Sequence, residues 1–372
     1  MARPISRIAR KLVAWFGQSA RDLPWRRAKD PYAIWISEIM LQQTQVKTVI
    51  PYFERWMRTL PTLREFARAR PEKVLKLWEG LGYYTRVGNA QSAARLIMTA
   101  HAGQFPARFD DILALPGIGR YTAGAIASIA FNQPAPILDG NVIRVLTRLF
   151  AIAGDPRGKE VNAKLWDIAE NLVSLRDIEP AKLNQALMEL GALICLPRQP
   201  RCIECPVRQH CLAWRQGRVA EFPAASRRTA VTERRFIALV VRERDRFLVR
   251  PRGAGVVNAG LWEFPNFEIP VKTKNPRALA APLETAAGGP FFSVRHSITR
   301  YRILLEAFHA TKPAEAKVDG VWKTIAQMNR LPFTSAHRKV LNAVRGEGGL
   351  TNRRFVAKEI GPKPHATGRC DR

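Results

Sequence analysis

Four cysteines constrain this chain more than any other feature. Cys195, Cys202, Cys205 and Cys211 are spaced Cys-x6-Cys-x2-Cys-x5-Cys, with Pro206 directly after the third; Cys370 stands alone near the end. Thiols bunched in this way are not the even scatter of a secreted disulfide framework, and they suggest a metal site in a reducing compartment. Four thiolates can hold zinc or a [4Fe–4S] cluster. Zinc sites usually pair their cysteines in two short knuckles, which the x6/x2/x5 run fits poorly, but spacing alone leaves both metals open.

The run sits where the chain changes character. Before it, apolar residues recur every three or four positions, as in Val74, Leu75, Trp78 and Leu81, or Val142, Val145, Leu146 and Leu149. Pro and Gly break this pattern at intervals that suit medium helices with short loops. The basic N-terminal stretch carries Ile5, Ile8, Leu12, Trp15 and Phe16 at near-helical spacing and reads as a first amphipathic helix. Residues 215–232 are polar and basic and read as a linker. Beyond them FIALVV, a polar RERDR turn and FLVR predict a β-hairpin. GLWEF and RYRILLEAFHA add strands, and TSAHRKVLNAVR a closing helix. The second domain is therefore expected at 233–345 as an α+β unit, followed by a basic, disordered tail over 346–372. With 60 Lys and Arg against 31 Asp and Glu, the formal net charge is +29. That favours a polyanionic partner, most simply nucleic acid. No run approaches the ~18 apolar residues of a membrane span.

Three stretches bear chemistry. LPGIGRYTAGAI predicts a hairpin turn between two helices. Gly117 and Gly119 there would both permit positive φ, and the N–H groups at the start of the second helix would hold a phosphate. ILDGNVIRVLTRL places Asp139 as the N-cap of an amphipathic helix, where a carboxylate tends to stay ionised. Such a group can stabilise a sugar cation in glycosidic cleavage. Glu38, flanked by Trp35, Ile36, Ile39 and Met40, sits in surroundings that raise a carboxyl pKa and suit an acid.

The motifs LPW (23–25), SEIMLQQTQV (37–46), LWEGLGYYTR (77–86), LPGIGRYTAGAI (115–126), ILDGNV (137–142) and LNQALMELGALIC (183–195), with the four cysteines, carry a resemblance. The chain resembles the MutY-type adenine DNA glycosylases of the endonuclease III, or helix-hairpin-helix, superfamily over nearly all of 1–215, and the order of its second domain resembles their Nudix-like module. The resemblance implies a mainly α helix-hairpin-helix DNA glycosylase fold over 1–214. A six-helix barrel would span about 28–137, and the N-terminal helix with about 138–214 would form an iron–sulfur cluster domain. A C-terminal α+β Nudix-like domain would follow. It implies a monomeric enzyme of base excision repair, cytoplasmic and associated with the bacterial nucleoid. Its substrate would be double-stranded DNA with adenine opposite 8-oxoguanine or guanine, and Cys195, Cys202, Cys205 and Cys211 would hold a [4Fe–4S] cluster. Glu38 resembles the acid that protonates adenine N7, Asp139 the carboxylate that stabilises the oxocarbenium ion, and Asn141 its polar neighbour. Gln43 and Thr44 resemble residues inserted near the orphaned lesion, and Tyr83 the wedge, with Leu81 beside it. Gly117 and Gly119 match the phosphate grip. Arg21, Trp25, Leu41 and Gln185 match positions lining the adenine pocket.

Two departures narrow the expectation. The Nudix metal helix is rich in glutamate, whereas NPRALAAPLETAAGG has Glu284 alone, so pyrophosphate hydrolysis is not expected. The stretch that contacts 8-oxoguanine in the family reads Ile298-Thr299-Arg300 here, keeping only the Thr299 hydroxyl. A related glycosylase excising mismatched thymine or an oxidised pyrimidine is the nearest alternative. Tyr121 stands where strand-cleaving relatives place a lysine, and a phenol cannot form their Schiff base. A catalytically inactive iron–sulfur DNA-binding protein is the alternative of another class; intact Glu38, Asp139 and Tyr121 argue against it.

Overall fold

The computed structural model describes residues 2–225, 230–279, 283–285, 288–298, 300–312 and 318–347, and structural statements below concern these. Thr299, Cys370 and nearly all of the expected tail lie outside them.

Up to Arg215 the chain is helices joined by short turns. The N-terminal helix Ala2–Ser19 buries Ile8, Leu12 and Phe16, a stripe at i, i+4 and i+8 that faces the interior. The helix Pro31–Leu41 starts where Asp30 accepts the Tyr32 N–H at 3.0 Å, with proline preset in its first turn. Apolar stripes of this kind sort into two cores. One is built from residues between Leu23 and Ala135, joined by Leu261 from the second domain, around Trp35, Trp56, Trp78 and Phe66, with Trp56 edge-on to Phe66 and Trp78 at 5.1 and 5.7 Å. The other joins the N-terminal helix to residues between Ala125 and Val207. Glu38 belongs to a helix of the first core, and Asp139 caps a helix of the second. Chemistry that uses both must lie at their boundary.

The stretch expected to be a free linker is tied down over its first part. A turn at Val219–Glu221 leads to Phe222, which is buried, and its carbonyl accepts the Arg148 Nε–H at 2.9 Å. One large apolar side chain in a polar stretch is enough to anchor it.

The second domain is a mixed sheet of β1 (Thr232–Glu243), β2 (Arg246–Pro251), β3 (Trp262–Glu263), β4 (Asn266–Ile269), β5 (Glu284–Thr285), β6 (Phe292–Ile298), β7 (Tyr301–Thr311) and β8 (Val321–Thr324). The main order is β3-β2-β1-β7-β5, with β4 on β1, β6 on β7 and β8 on β2. The expected hairpin forms, with Glu243 opposite Arg246. β1 and β7 run parallel, from Thr232 opposite Tyr301 to Val241 opposite Ala310. Period-two alternation gives the sheet two buried faces. Ala238 and Val240 pack with Phe333, Val340 and Leu341, whereas Ile237, Leu239 and Val241 pack with Leu248 and Phe308. The closing helix Ser335–Glu347 covers the first face. Where a Nudix hydrolase would place its glutamate helix, residues Pro276–Leu279 make one 3₁₀ turn and Glu284 lies on β5. No helix among the described residues is long and apolar enough to cross a membrane.

Candidate active site

Nine consecutive residues, Tyr32 to Met40, are buried on the helix Pro31–Leu41, and Glu38 is among them at 6% exposure. Burial in that apolar setting raises the Glu38 pKa to about 7, against the opposing pull of a hydrogen bond from Tyr121. Tyr121 sits in the first turn of the helix Arg120–Phe131 and donates its hydroxyl to Glu38 Oε2 at 2.8 Å, with Met188 Sδ at 3.4 Å. Burial, then the neighbouring carboxyls, push the phenol pKa well above its ordinary value, so Tyr121 stays a donor.

Asp139 caps the helix Gly140–Leu149. Its Oδ1 accepts the N–H of Asn141 at 3.0 Å and of Val142 at 2.8 Å, and its Oδ2 accepts the Asn141 amide at 2.9 Å. Burial raises the Asp139 pKa above its usual value despite these donors, so helix capping does not by itself depress it as the sequence implied. Both oxygens nonetheless face N–H groups, the arrangement an ionised carboxylate wants. Asn141 is fixed in turn: its Oδ1 accepts Arg144 Nη2 at 2.9 Å, and Arg144 also donates to the carbonyls of Gly191 and Cys195, each at 2.7 Å.

Around these carboxyls the expected pocket residues fall unevenly. Arg21 and Arg26 both grip Glu189, with closest contacts of 2.6 and 2.9 Å. Burial alone would raise the Glu189 pKa; the hydrogen bonds from Arg21 and Arg26 outweigh it and hold the carboxyl at about 2. Trp25 is buried edge-on to Phe53 at 5.5 Å, and Leu41 packs on the same core. Gln185 donates its amide to the Ala181 carbonyl of its own helix at 3.1 Å. Gln43 is exposed at φ 57°, and Thr44 Oγ1 donates to the Gln42 carbonyl at 3.3 Å. Leu81 is buried, whereas Tyr83 is 40% exposed at φ 47°. Gly117 has φ 75°, and a Cβ there would stand 2.5 Å from Asn89 Cβ. Gly119 corrects the expectation: at φ −98° it is extended, the N-cap of the helix Arg120–Phe131, with no side chain capping it. The first-turn N–H groups are therefore left without a side-chain acceptor.

The four cysteines line one hollow with Arg148, Ile194 and Trp214. Arg148, nearly fully buried, donates to Cys195 Sγ at 3.4 Å and to the Leu196 and Pro197 carbonyls at 2.7 and 3.0 Å. Among the described residues no three His, Cys, Asp or Glu side chains converge closely enough for a single metal ion. Four thiols around one shared hollow are a donor set for a metal centre.

Residues 36–171 match the model of the HhH-GPD superfamily of base excision DNA repair proteins, and residues 237–343 match a NUDIX domain. The chain is 36% identical over 402 aligned residues to the adenine DNA glycosylase of Rattus norvegicus, spanning 90% of this chain and 77% of that protein. It is 36% identical over 263 residues to that of Buchnera aphidicola subsp. Schizaphis graminum, spanning 70% and 75%. The chain belongs to the adenine DNA glycosylase family. A thermostable thymine-DNA glycosylase structure superimposes with a TM-score of 0.52 at 27% identity, over 57% of this chain and 98% of that one. The helix-hairpin-helix fold with a Nudix-like C-terminal domain therefore stands.

Sequence reading missed Arg86. Its Nη1 donates to the Ile39 and Gln42 carbonyls at 2.7 and 2.5 Å, and its Nη2 to those of Leu81 and Gly82, both at 3.1 Å. One guanidinium thus joins the loop bearing Gln43 and Thr44 to the loop bearing Tyr83. Burial lowers its pKa to about 10, still well above neutrality. Glu189 was missed as well. Its signal is a carboxylate in the helix of Leu183, Ala186, Leu187 and Leu190, where a buried charge needs partners.

Proposed function

We propose that this chain is a monofunctional DNA glycosylase that removes adenine opposite 8-oxoguanine or guanine from duplex DNA. The observation that carries the reading is the pair of carboxyls in unlike settings. Glu38 is held protonated to about pH 7 with Tyr121 fixing one oxygen, and Asp139 is ringed by N–H donors at a helix N-terminus. Adenine leaves readily only once protonated, so a carboxyl that keeps its proton near neutrality can deliver it to the base. Asp139 faces the charge that then develops on the sugar. The base must leave the stack first. Tyr83, exposed on a tight loop, would fill the gap, and the open first turn after Gly119 suits a phosphate. The partly buried Arg21–Arg26–Glu189 cluster would shape the wall of the base pocket. Tyr121 has no amine to attack the sugar, so the strand stays uncut.

The four thiols fit a [4Fe–4S] cluster, which Cys195, Cys202, Cys205 and Cys211 would hold with Arg148 donating to a sulfur. When bound, it would order the loop that receives Arg144 and Arg148, and through Asn141 set the orientation of Asp139. Anaerobically purified protein is expected to contain iron and sulfide in equal amounts and no zinc; zinc in their place sinks the assignment.

The deciding assay offers three duplexes: adenine opposite 8-oxoguanine, thymine opposite guanine, and thymine glycol opposite adenine. Release of adenine alone, with the strand cut only after added alkali, is expected. Release of thymine or thymine glycol alone makes the adenine reading wrong.

A further inference from the structure

The loop that carries Tyr83 is fastened at both ends to the second domain. At its start, Glu79 Oε1 accepts Arg338 Nε at 2.6 Å and the Phe333 N–H at 3.2 Å, and Oε2 accepts Arg338 Nη2 at 3.2 Å. Lys76 completes the cluster, 2.5 Å from Glu79 Oε2 and 3.1 Å from the Leu331 carbonyl, which also accepts Arg338 Nη2 at 2.7 Å. Glu79 and Arg338 keep only 12% and 19% of their side-chain surface exposed, so solvent screens this pair little. At the loop's end, the Tyr84 hydroxyl accepts the Gly80 N–H at 3.2 Å, with the Ser335 side chain beside it. Phe333, Ser335 and Arg338 lie in or just before the first turn of the closing helix, which packs on β6. One rigid element therefore runs from the β6–β7 hairpin to both ends of the Tyr83 loop.

That loop is braced from two sides. Tyr83 sits at φ 47°, a region that bulky residues rarely adopt; from the helical side Arg86 lies 5.5 Å over its ring and holds the Leu81 and Gly82 carbonyls, and the second domain holds the start of the loop from the other. We propose that Glu79 and Arg338 form a positioning clamp. When the β6–β7 tip engages the lesion opposite adenine, the closing helix holds the 79–84 loop in the shape that lets Tyr83 enter the duplex. The clamp makes wedge insertion depend on what the second domain reads. This rests on the glycosylase reading above.

The test is single-turnover excision by the full chain on duplexes with adenine opposite 8-oxoguanine or opposite guanine. Wild type that releases adenine from neither duplex speaks against the glycosylase reading itself, not the clamp. Given an active wild type, Arg338→Met and Glu79→Gln should each cut the preference for the 8-oxoguanine duplex by at least about fivefold. Excision opposite guanine should stay near wild type, which also certifies a folded helical region. The double variant should lose clearly less than the sum of the two single ones, because both remove the shared Glu79–Arg338 interaction. Arg338→Lys, which keeps the charge, should fall between wild type and Arg338→Met. An unchanged preference, an equal loss on both duplexes, or losses that add in the double variant overturn the proposal.

Discussion

Asp139→Asn should leave duplex binding close to wild type while lowering single-turnover excision of adenine about a thousandfold or more. Asparagine is as good an N-cap as aspartate, and its oxygen can still accept the Asn141 and Val142 N–H groups. The helix Gly140–Leu149 should therefore form, and the melting temperature should move little. What is lost is a negative charge in a buried site, where it stabilises a nearby cation far more than it would in water. The amide also points an N–H at the Asn141 side chain, where Oδ2 now accepts at 2.9 Å. Gel-shift binding and excision on the same duplex separate the two effects. Turnover like that of wild type would place the stabilising charge elsewhere.

Glu38→Gln carries the second large effect, with opposite signs for activity and stability. Excision should fall by a further set of orders of magnitude, because an amide has no proton to give. Stability at alkaline pH should rise. The Glu38 carboxyl is raised from 4.5 to about 7 in the fold, so the folded state binds the proton more tightly than the unfolded chain. Folding is thus favoured by this group below about pH 4.5, and that advantage fades as pH climbs through 7. Above that, holding the ionised side chain in its apolar site costs about 3 kcal/mol. Glutamine removes that cost and can still accept the Tyr121 hydroxyl. Denaturant melts should show the variant up to about 3 kcal/mol more stable at pH 8 and nearly equal to wild type at pH 4. In wild type, excision should decline tenfold per pH unit above about 7. A variant no more stable at pH 8 than wild type would show that Glu38 is already charged at little cost.

The parts of the site that were legible in the sequence are those set by local pattern. Asp139 declares itself by standing before an amphipathic helix, and Glu38 by its apolar flanks; the four thiols declare themselves by spacing. The strands of the second domain follow from period-two runs and a polar turn. What stayed hidden depends on partners far apart along the chain. Arg21 meets Glu189 across 168 positions and Arg338 meets Glu79 across 259, and nothing local marks either pair. Arg86 was hidden for a different reason: its partners are backbone carbonyls, which every residue has. Gly119 misled because a glycine beside a positive-φ glycine looks like another, yet here extended backbone at a helix start is all that is needed. Tyr121 stands at the boundary: its ring packs on the core of the Asp139 helix while its hydroxyl holds Glu38 on the other, a pairing across 83 positions that nothing local marks.

Parallel pairing of β1 with β7 has a consequence for how the two domains find each other. It sets Thr232, where the chain enters the sheet, beside the β6–β7 tip, with the Thr232 N–H donating to the Arg300 carbonyl at 2.9 Å. The other end of the tether is pinned where Arg148 holds Phe222. Nine residues lie between these anchors, so ten chain steps allow a reach of about 35 Å at full extension. The second domain is thus joined to the helical region within one chain, at an effective concentration in the millimolar range, so their meeting through Glu79 and Arg338 is a unimolecular event. Two halves expressed as separate chains would have to be mixed at concentrations of that order to act as one.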